Sequence, residues 1–141
     1  MATPAGFSPK ARRKARVFAL QALYQWQYTH DDLTLLETQY VVANNHHRVE
    51  WSFFKELVHG VPKHLAELDA LIIPVLTKDR VLSELNPIEL IIIRLALFEI
   101  HHAQTPIPVA INEYVDIAHE YGTEDGYRFV NGVLDKVVKG F

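Results

Sequence analysis

The sequence contains no cysteine, and this absence excludes disulfide bonds, thiolate metal sites and cysteine nucleophiles. It also lacks the GxGxxG and GxxxxGK(S/T) loops that hold nucleotides, the GxSxG turn of serine hydrolases and the HExxH zinc motif. The carboxylates are scattered, with no pair placed for acid–base catalysis. Because these patterns are missing, we expect no catalytic residues, no cofactor and no enzymatic activity.

Long apolar runs are missing as well. The longest, Leu90–Ile93 and Leu95–Phe98, are separated by Arg94 and fall far short of the roughly 20 residues that cross a membrane. The first residues are small and polar, and no apolar stretch follows the basic ones, so we expect no targeting segment. A chain without cysteine fits a reducing compartment, and we expect a soluble cytoplasmic protein.

The 8 histidines do not follow any metal-ligand spacing. His46–His47 and His101–His102 are adjacent pairs, whose side chains point about 100° apart on a helix. His59 and His64 lie five positions apart. We therefore expect structural or surface histidines and no metal site.

Charge is distributed unevenly along the 141 residues, although the net charge is only −3. Residues 1–16 contain five of the 14 basic residues and no acidic one, a local charge of +5. Residues 17–141 contain the other nine basic residues and all 17 acidic ones, so their net charge is −8. This asymmetry is typical of a basic arm that binds phosphate, attached to an acidic body. The alternative is a solvated helix start with a chance cluster of charges.

Helical periodicity dominates the sequence, and no segment shows sustained apolar and polar alternation. With no internal repeat, the chain is predicted to be all-α, with about seven helices in one domain or in two small helical halves that share a core. Residues 1–7 are predicted to form a loose arm. Several residues are predicted to mark helix boundaries: Ser8, Asn86 and Thr123 as caps, Asp31–Asp32 as the residues before a second helix, Pro62 as the start of a fourth helix, and Gly60 and Gly122 as ends.

The basic side chains of the predicted first helix point in fixed directions, because they lie on a helix and not in a flexible tail. Arg13, Arg16, Leu20 and Tyr24 recur at steps of three or four residues, which predicts a stripe that is basic at its start and aromatic three turns later. Arginines can hold phosphates, and a tyrosine ring can stack on a base. Tyr24 could equally be a core residue with its hydroxyl at the rim, and Phe7 has the same two alternatives.

The last helix opens with the segment DGYRF (residues 125–129). Asp125 could accept hydrogen bonds from base amino groups, or it could simply cap the helix. Arg94, inside an apolar helix, is expected to be a structural ion-pair partner. Glu84 and Glu89 are expected to be exposed, and they would be ordinary surface acids unless a basic partner docks there.

Several segments together resemble the NusB transcription antitermination family. They span nearly the whole chain, and their combination is specific, whereas the basic run alone would not be. The segments are ARRKAR (residues 11–16), ALQALY (19–24), RLALFE (94–99), VAINE (109–113) and FVNGVLDK (129–136).

The resemblance implies an all-helical protein of two packed subdomains, which we place at residues 1–61 with three helices and residues 62–141 with four. It implies binding to the boxA element of nascent ribosomal-operon RNA together with NusE, a small-subunit ribosomal protein, within a complex that keeps RNA polymerase from terminating. Segment 75–85 matches the family less well. Glu89 falls where the family has an acid facing NusE, and we add Glu84 to this partner surface. The resemblance implies RNA contacts at the residues that match the family's motifs, which are Arg12, Arg13, Arg16, Tyr24, Asp125 and Phe129. We add their neighbours Lys14 and Arg128.

Two alternatives are kept beside this one. The chain could be a helical protein–protein adaptor whose basic arm docks an acidic partner. Related domains are also fused to RNA cytosine methyltransferases, but a nucleotide-binding half is not present here. A homodimer is compatible with the sequence, because some family members associate through their RNA-binding face.

Overall fold

The computed structural model describes residues 8–141, and over this range the chain forms seven α-helices and no β-strand. The loose arm predicted for residues 1–7, with Phe7, lies outside the described residues. Two single-turn 3-10 segments, Ile73–Val75 and Leu82–Glu84, lie between the fourth and fifth helices. The helices are α1 (Pro9–Thr29), α2 (Leu33–Ala43), α3 (Trp51–Lys63), α4 (Leu65–Ile72), α5 (Pro87–His102), α6 (Ile107–Tyr121) and α7 (Gly126–Lys139). The predicted all-α class is confirmed.

Local capping signals position three of the helix starts. The Ser8 hydroxyl accepts a hydrogen bond from a first-turn amide of α1 at 3.1 Å. Asp32 does the same for α2 at 2.8 Å, and Asn86 for α5 at 3.0 Å. Each side chain satisfies an amide that has no partner inside its own helix. The predicted caps Ser8 and Asn86 are confirmed, and so are the start of α2 after Asp31–Asp32 and the end of α6 before Gly122.

The boundary predicted between the third and fourth helices is wrong. We expected α3 to end at Gly60 and Pro62 to open the next helix, but α3 continues through both residues to Lys63. Pro62 has no amide to donate to the carbonyl four residues earlier, so the ladder loses one bond there, and the helix ends one residue later. The next helix starts at Leu65, with His64 as its cap residue.

The cap predicted for the last helix is also wrong. Thr123 does not cap α7, which begins three residues later at Gly126. Its hydroxyl donates a hydrogen bond to Glu89 Oε2 at 2.7 Å, and its backbone amide donates to the same oxygen at 2.9 Å. A contact between positions 34 residues apart thus replaces the local cap that the sequence suggested.

The chain divides into two compact units, the first ending at Pro62 and the second running from Lys63 to Phe141. The first contains α1, α2 and all but the last residue of α3, and the second contains α4 to α7. Three helices and four helices were predicted for the two subdomains, and this division is observed.

Small residues on α1 and aromatic rings on α3 form the core of the first unit. Ala15 and Ala19 are fully buried, as are Phe53 and Phe54 to within 1%. The Glu50 amide, just before α3, donates to the Ala11 carbonyl of α1 at 3.2 Å. The short alanine side chains permit this backbone-to-backbone approach, which fixes the start of α1 beside the start of α3.

In the second unit α5 is buried on almost every side, as its apolar sequence predicted. Arg94 binds Asp69 of α4 through two hydrogen bonds of 2.8 and 3.0 Å, which confirms its expected role as a structural ion-pair partner. The buried Glu99 accepts the hydroxyls of Thr105 at 2.8 Å and Tyr114 at 2.5 Å. Among residues 8–141, no helix has the length and apolar character needed to cross a membrane.

Candidate nucleic-acid interface

The outward side of α1 forms a stripe that differs from the one predicted. Its members recur at steps of three and four residues, which places them on one side of the helix. None is fully buried, and the stripe begins with two cations and ends with two tyrosines. We call this set the α1 stripe: Lys10, Arg13, Val17, Gln21, Tyr24 and Tyr28.

The two tyrosines of the α1 stripe lie at the surface. Tyr24 is 37% exposed and Tyr28 is 60% exposed, with their ring centroids 5.1 Å apart in an edge-to-face arrangement. A hydrogen bond with Tyr24 is the main cause that raises the pKa of Tyr28, and desolvation and the charge of Tyr24 add to it. The core alternative for Tyr24 is therefore wrong, and its ring is accessible to a partner.

Their spacing predicted that Arg16 and Leu20 belong to the exposed stripe, and this prediction is wrong. Both are only 3% exposed. The Arg16 guanidinium carbon lies 5.5 Å from the ring centroid of Phe53. The stripe prediction failed because residues 16 and 20 fall at the edge of the buried side of α1, a position that periodicity alone does not resolve.

Arg12 was expected to be exposed, and this expectation is also wrong. Its guanidinium makes two 3.1 Å hydrogen bonds to the carboxylate of Glu50, and its carbon lies 3.9 Å from the Phe53 ring centroid. Glu50 is only 1% exposed, so the pair neutralises a carboxylate that the fold has removed from water. Three guanidinium N–H groups remain besides the two that bind Glu50. RNA contact by Arg12 stays a prediction, and its structural role is an addition.

Lys14 lies on another side of α1, beside the loop that leads to α3. Its ammonium is 3.0 Å from Nδ1 of His47. Desolvation first, and then the charges of Lys14 and His46, lower the pKa of His47. Since a neutral imidazole is favoured there, His47 can accept a hydrogen bond from the ammonium and orient it without cancelling its charge.

In the second unit the predicted residues Asp125, Arg128 and Phe129 surround the start of α7. Asp125 occupies the position before the first residue of α7, but its side chain is 77% exposed and makes no capping hydrogen bond, so capping does not explain its carboxylate. Arg128 is 72% exposed and lies 3.9 Å from Asp125, and its Nε donates to the hydroxyl of Tyr127 at 3.0 Å. Such an ion pair is weak at the surface, and because both side chains are mostly exposed, both charges are accessible to a ligand.

Phe129 lies in a small cleft that the sequence did not reveal. The guanidinium carbon of Arg80 is 4.7 Å from its ring centroid. The cleft, of about 160 Å³, is also lined by Gly132 and Lys136, which follow Phe129 on the same side of α7. A methyl group added at Gly132 would meet no atom within 4 Å, so the space beside the ring is open. Arg80 belongs to segment 75–85, where the family match is weakest, and the only available signal was the spacing of Phe129, Gly132 and Lys136.

The partner surface predicted at Glu84 and Glu89 divides into one exposed and one buried residue. Glu84 is exposed, and its Oε1 accepts the backbone amide of Val81 at 3.2 Å. Glu89 is 5% exposed and binds Thr123, so the expectation of an exposed acid is wrong. A β-carbon added at Gly126 would lie 2.0 Å from Glu89 Oε2, which shows how closely the carboxylate fits against the start of α7.

The predicted RNA residues thus fall into two sets, each within its own unit. In the first unit the structure brings Arg13 and Tyr24 onto the α1 stripe, while Arg12 and Arg16 lie toward Phe53 and Lys14 lies at His47. In the second unit it brings Arg128 and Phe129 into the first turn of α7, next to Asp125. Both sets combine accessible cations with an aromatic ring, the combination that holds phosphates and stacks bases in single-stranded nucleic acids.

Known proteins similar to this chain point to one family. A family model described as the NusB family matches residues 13–139. The transcription antitermination protein NusB of Legionella pneumophila (strain Corby) is 42% identical over 133 residues, covering 94% of this chain and 89% of the relative.

Solved structures give the same family. NusB of T. maritima superposes with a TM-score of 0.79 at 30% identity, covering 99% of this chain and 93% of that one. The structure of antitermination factors NusB and NusE in complex with dsRNA superposes with a TM-score of 0.83 at 25% identity, covering 95% of this chain and all of the matched chain.

Proposed function

The chain belongs to the NusB family of transcription antitermination proteins, and we propose that it carries out this function by binding RNA jointly with NusE. Membership of this family makes it a transcription factor rather than an enzyme. A related NusB has been crystallised with NusE and dsRNA, and its fold extends over 95% of this chain.

We further propose that the RNA is the boxA element of ribosomal operons, and that the protein acts in the cytoplasm within the antitermination complex on RNA polymerase. The segments that resemble the family contain predicted RNA residues of each unit: residues 11–16 and 19–24 in the first and residues 129–136 in the second. A homodimer that buries this surface would compete with RNA. Dimerisation is therefore proposed as an alternative state of the free protein.

The observation that carries the proposal is the α1 stripe. Arg13 and Tyr24 are 11 residues apart, about 16 Å of helix rise, which is enough to follow a few nucleotides. The stripe starts in the only strongly basic part of an otherwise acidic chain. The net negative charge of the remaining residues disfavours phosphate except beside local groups of cations, and it therefore favours RNA at the α1 stripe.

The cleft on α7 supports the same proposal from the second unit. The Phe129 ring offers a stacking face, and Arg80 and Lys136 place two cations next to it. We propose that one base stacks on Phe129 while its phosphate is bound by Arg80 or Lys136. In the free protein Arg80 covers the ring, so the guanidinium must move aside or remain on the opposite face of the ring when a base enters.

Salt dependence of RNA binding tests the proposal. The affinity of wild-type protein for a short single-stranded boxA-like RNA should fall steeply with salt, because bound phosphates release counterions. The variant Lys10→Ala/Arg13→Ala should make the slope of log affinity against log salt shallower by about 1 to 1.5, at roughly 0.7 per lost contact. Lys55→Ala is the matched control, because it removes an exposed cation of α3 in the same unit. An unchanged slope in the double variant, with helicity intact, would contradict the α1 stripe as the phosphate surface.

The NusE part of the proposal is tested on the same RNA. We expect that adding purified NusE increases the affinity of the wild-type protein for RNA. Glu84→Lys should weaken this increase by charge repulsion while leaving the binding of RNA alone unchanged. If NusE binds normally to Glu84→Lys, the partner surface lies elsewhere. If the protein binds NusE or another partner but no RNA, the adaptor alternative is correct.

A further inference from the structure

Three side chains of the second unit bring potential metal ligands together from distant positions in the sequence. His64 precedes α4, Glu67 lies in its first turn and His102 is the last residue of α5. One ligand atom from each lies within 4.8 Å of the other two. Nε2 of His102 is already 2.5 Å from Oε2 of Glu67.

This donor set selects a particular class of cation. Two imidazole nitrogens and one carboxylate oxygen suit Zn²⁺ and its neighbours in the first transition row, whereas Mg²⁺ and Ca²⁺ prefer sites made of oxygen alone. Three protein ligands with a fourth position left to water is a recurring zinc arrangement. Tetrahedral bonds of about 2.0 to 2.2 Å put ligand atoms roughly 3.3 to 3.5 Å apart. The three side chains therefore need to move by an ångström or so.

The surroundings permit that movement and keep the ligands on one side. The His64 and His102 rings are stacked, with centroids 3.9 Å apart and planes at 21°, and the His102 ring lies on Phe98 at 5.3 Å. In stacked rings the nitrogen lone pairs are nearly parallel, so one imidazole must turn before both can point at one ion. The side chain of Glu67 is 50% exposed and that of His102 is 28% exposed, which leaves room for this rotation.

We propose that His64, Glu67 and His102 form a surface site for one Zn²⁺ ion, with a fourth position open to water. The ion would replace the hydrogen that His102 and Glu67 now share, and it would link the start of α4 to the end of α5. None of the three ligands belongs to the proposed RNA or NusE surfaces, so the site is independent of the proposed function.

His101 provides a matched control next to the site. It adjoins His102 in the chain, but its ring packs edge-on against Phe141 at 4.8 Å and its ligand atoms are not in the group. Removing it deletes a neighbouring imidazole without deleting a predicted ligand.

Calorimetric titration of the full chain with ZnCl₂ near neutral pH tests the proposal. We expect one ion per chain and no response to MgCl₂, because two imidazole nitrogens favour a first-row transition cation over Mg²⁺. Glu67→Gln and His102→Ala should each weaken zinc binding about tenfold or more, since even indirect supporting residues have effects of that size. His101→Ala should bind as the wild type does.

A second measurement guards against loss of fold in His102→Ala, whose ring packs on Phe98. Zinc should raise the melting temperature of the wild type and of His101→Ala, but not that of Glu67→Gln, a surface change that keeps the side-chain shape. Absence of zinc binding in the wild type, or equal binding in Glu67→Gln and His101→Ala, would overturn the proposal.

Discussion

Replacing Arg12 by Ala should destabilise the protein far more than its place in a basic cluster suggests. The substitution leaves the Glu50 carboxylate, 1% exposed, without the two 3.1 Å hydrogen bonds that neutralise it. Breaking a buried ion pair by removing one partner costs about 3–5 kcal/mol. Because the Arg12 side chain is 14% exposed, we expect the lower end, about 3 kcal/mol. For a chain of this length that is a fall in melting temperature of roughly 10 °C.

Thermal and urea unfolding, followed by far-ultraviolet circular dichroism, measure this effect. Arg13→Ala is the matched control, since it removes the same side chain from the next position, which lies on the outer stripe of α1. We expect it to change the free energy of unfolding by less than about 1 kcal/mol. Replacing both partners, Arg12→Leu with Glu50→Leu, should recover much of the loss, because no buried charge is then left alone.

RNA binding should show the opposite order for the two arginines. Arg13→Ala is expected to make the salt slope shallower by about 0.7, whereas Arg12→Ala changes it less because Glu50 already compensates its charge. Unfolding of Arg12→Ala at the same temperature as Arg13→Ala would contradict a stabilising role for the Arg12–Glu50 pair. A Leu/Leu variant less stable than Arg12→Ala would contradict it as well.

Three further predictions follow from contacts at single residues. Gly126→Ala places a β-carbon 2.0 Å from Glu89 Oε2 and should lower the free energy of unfolding by at least about 2 kcal/mol, the value of a hydrogen bond to a charged group. Gly132→Ala meets no atom within 4 Å and should raise the free energy of unfolding by about 0.5 to 1 kcal/mol. Equal effects of the two substitutions in urea unfolding would contradict the Glu89 contact. Tyr24→Ala should weaken RNA binding by about 1–3 kcal/mol and leave the unfolding midpoint nearly unchanged, because the ring is 37% exposed; an easily unfolded variant with normal RNA affinity would contradict this. Asp125→Asn should tighten binding of cognate and scrambled RNA alike, because it removes a charge that repels phosphate. It should not lower stability, since the Asp125 side chain makes no cap bond. A loss of affinity for the cognate sequence alone would show instead that Asp125 accepts a hydrogen bond from a base.

The features that the sequence predicted correctly depend on neighbours within one helical turn. Ser8, Asp32 and Asn86 cap their helices because the amides they satisfy lie two or three residues away. The all-α class and the apolar central helix follow from periodicity in the same way. Arg94 was recognised as a structural cation because a charge inside an apolar helix needs a partner, although the sequence did not indicate that the partner is Asp69.

The features that it missed depend on residues far apart in the chain. Threonine is a typical helix-cap residue, but the hydroxyl and amide of Thr123 both donate to a buried carboxylate 34 positions earlier. Arg12 belongs to a basic cluster, and only the fold reveals that Glu50 lies opposite it. The cleft formed by Arg80 and Phe129 joins segment 75–85, which matches the family less well, to the last helix. Such pairings are set by tertiary packing, which local patterns do not encode.

The two hydrogen bonds from Thr123 to Glu89 have a consequence for the entropy of binding. They hold the turn between α6 and α7 in one conformation before any ligand arrives, and this turn leads directly into Asp125 and Arg128. A ligand that docks on this segment therefore finds its backbone already ordered. Less conformational freedom is lost on association, and more of the contact energy remains as affinity.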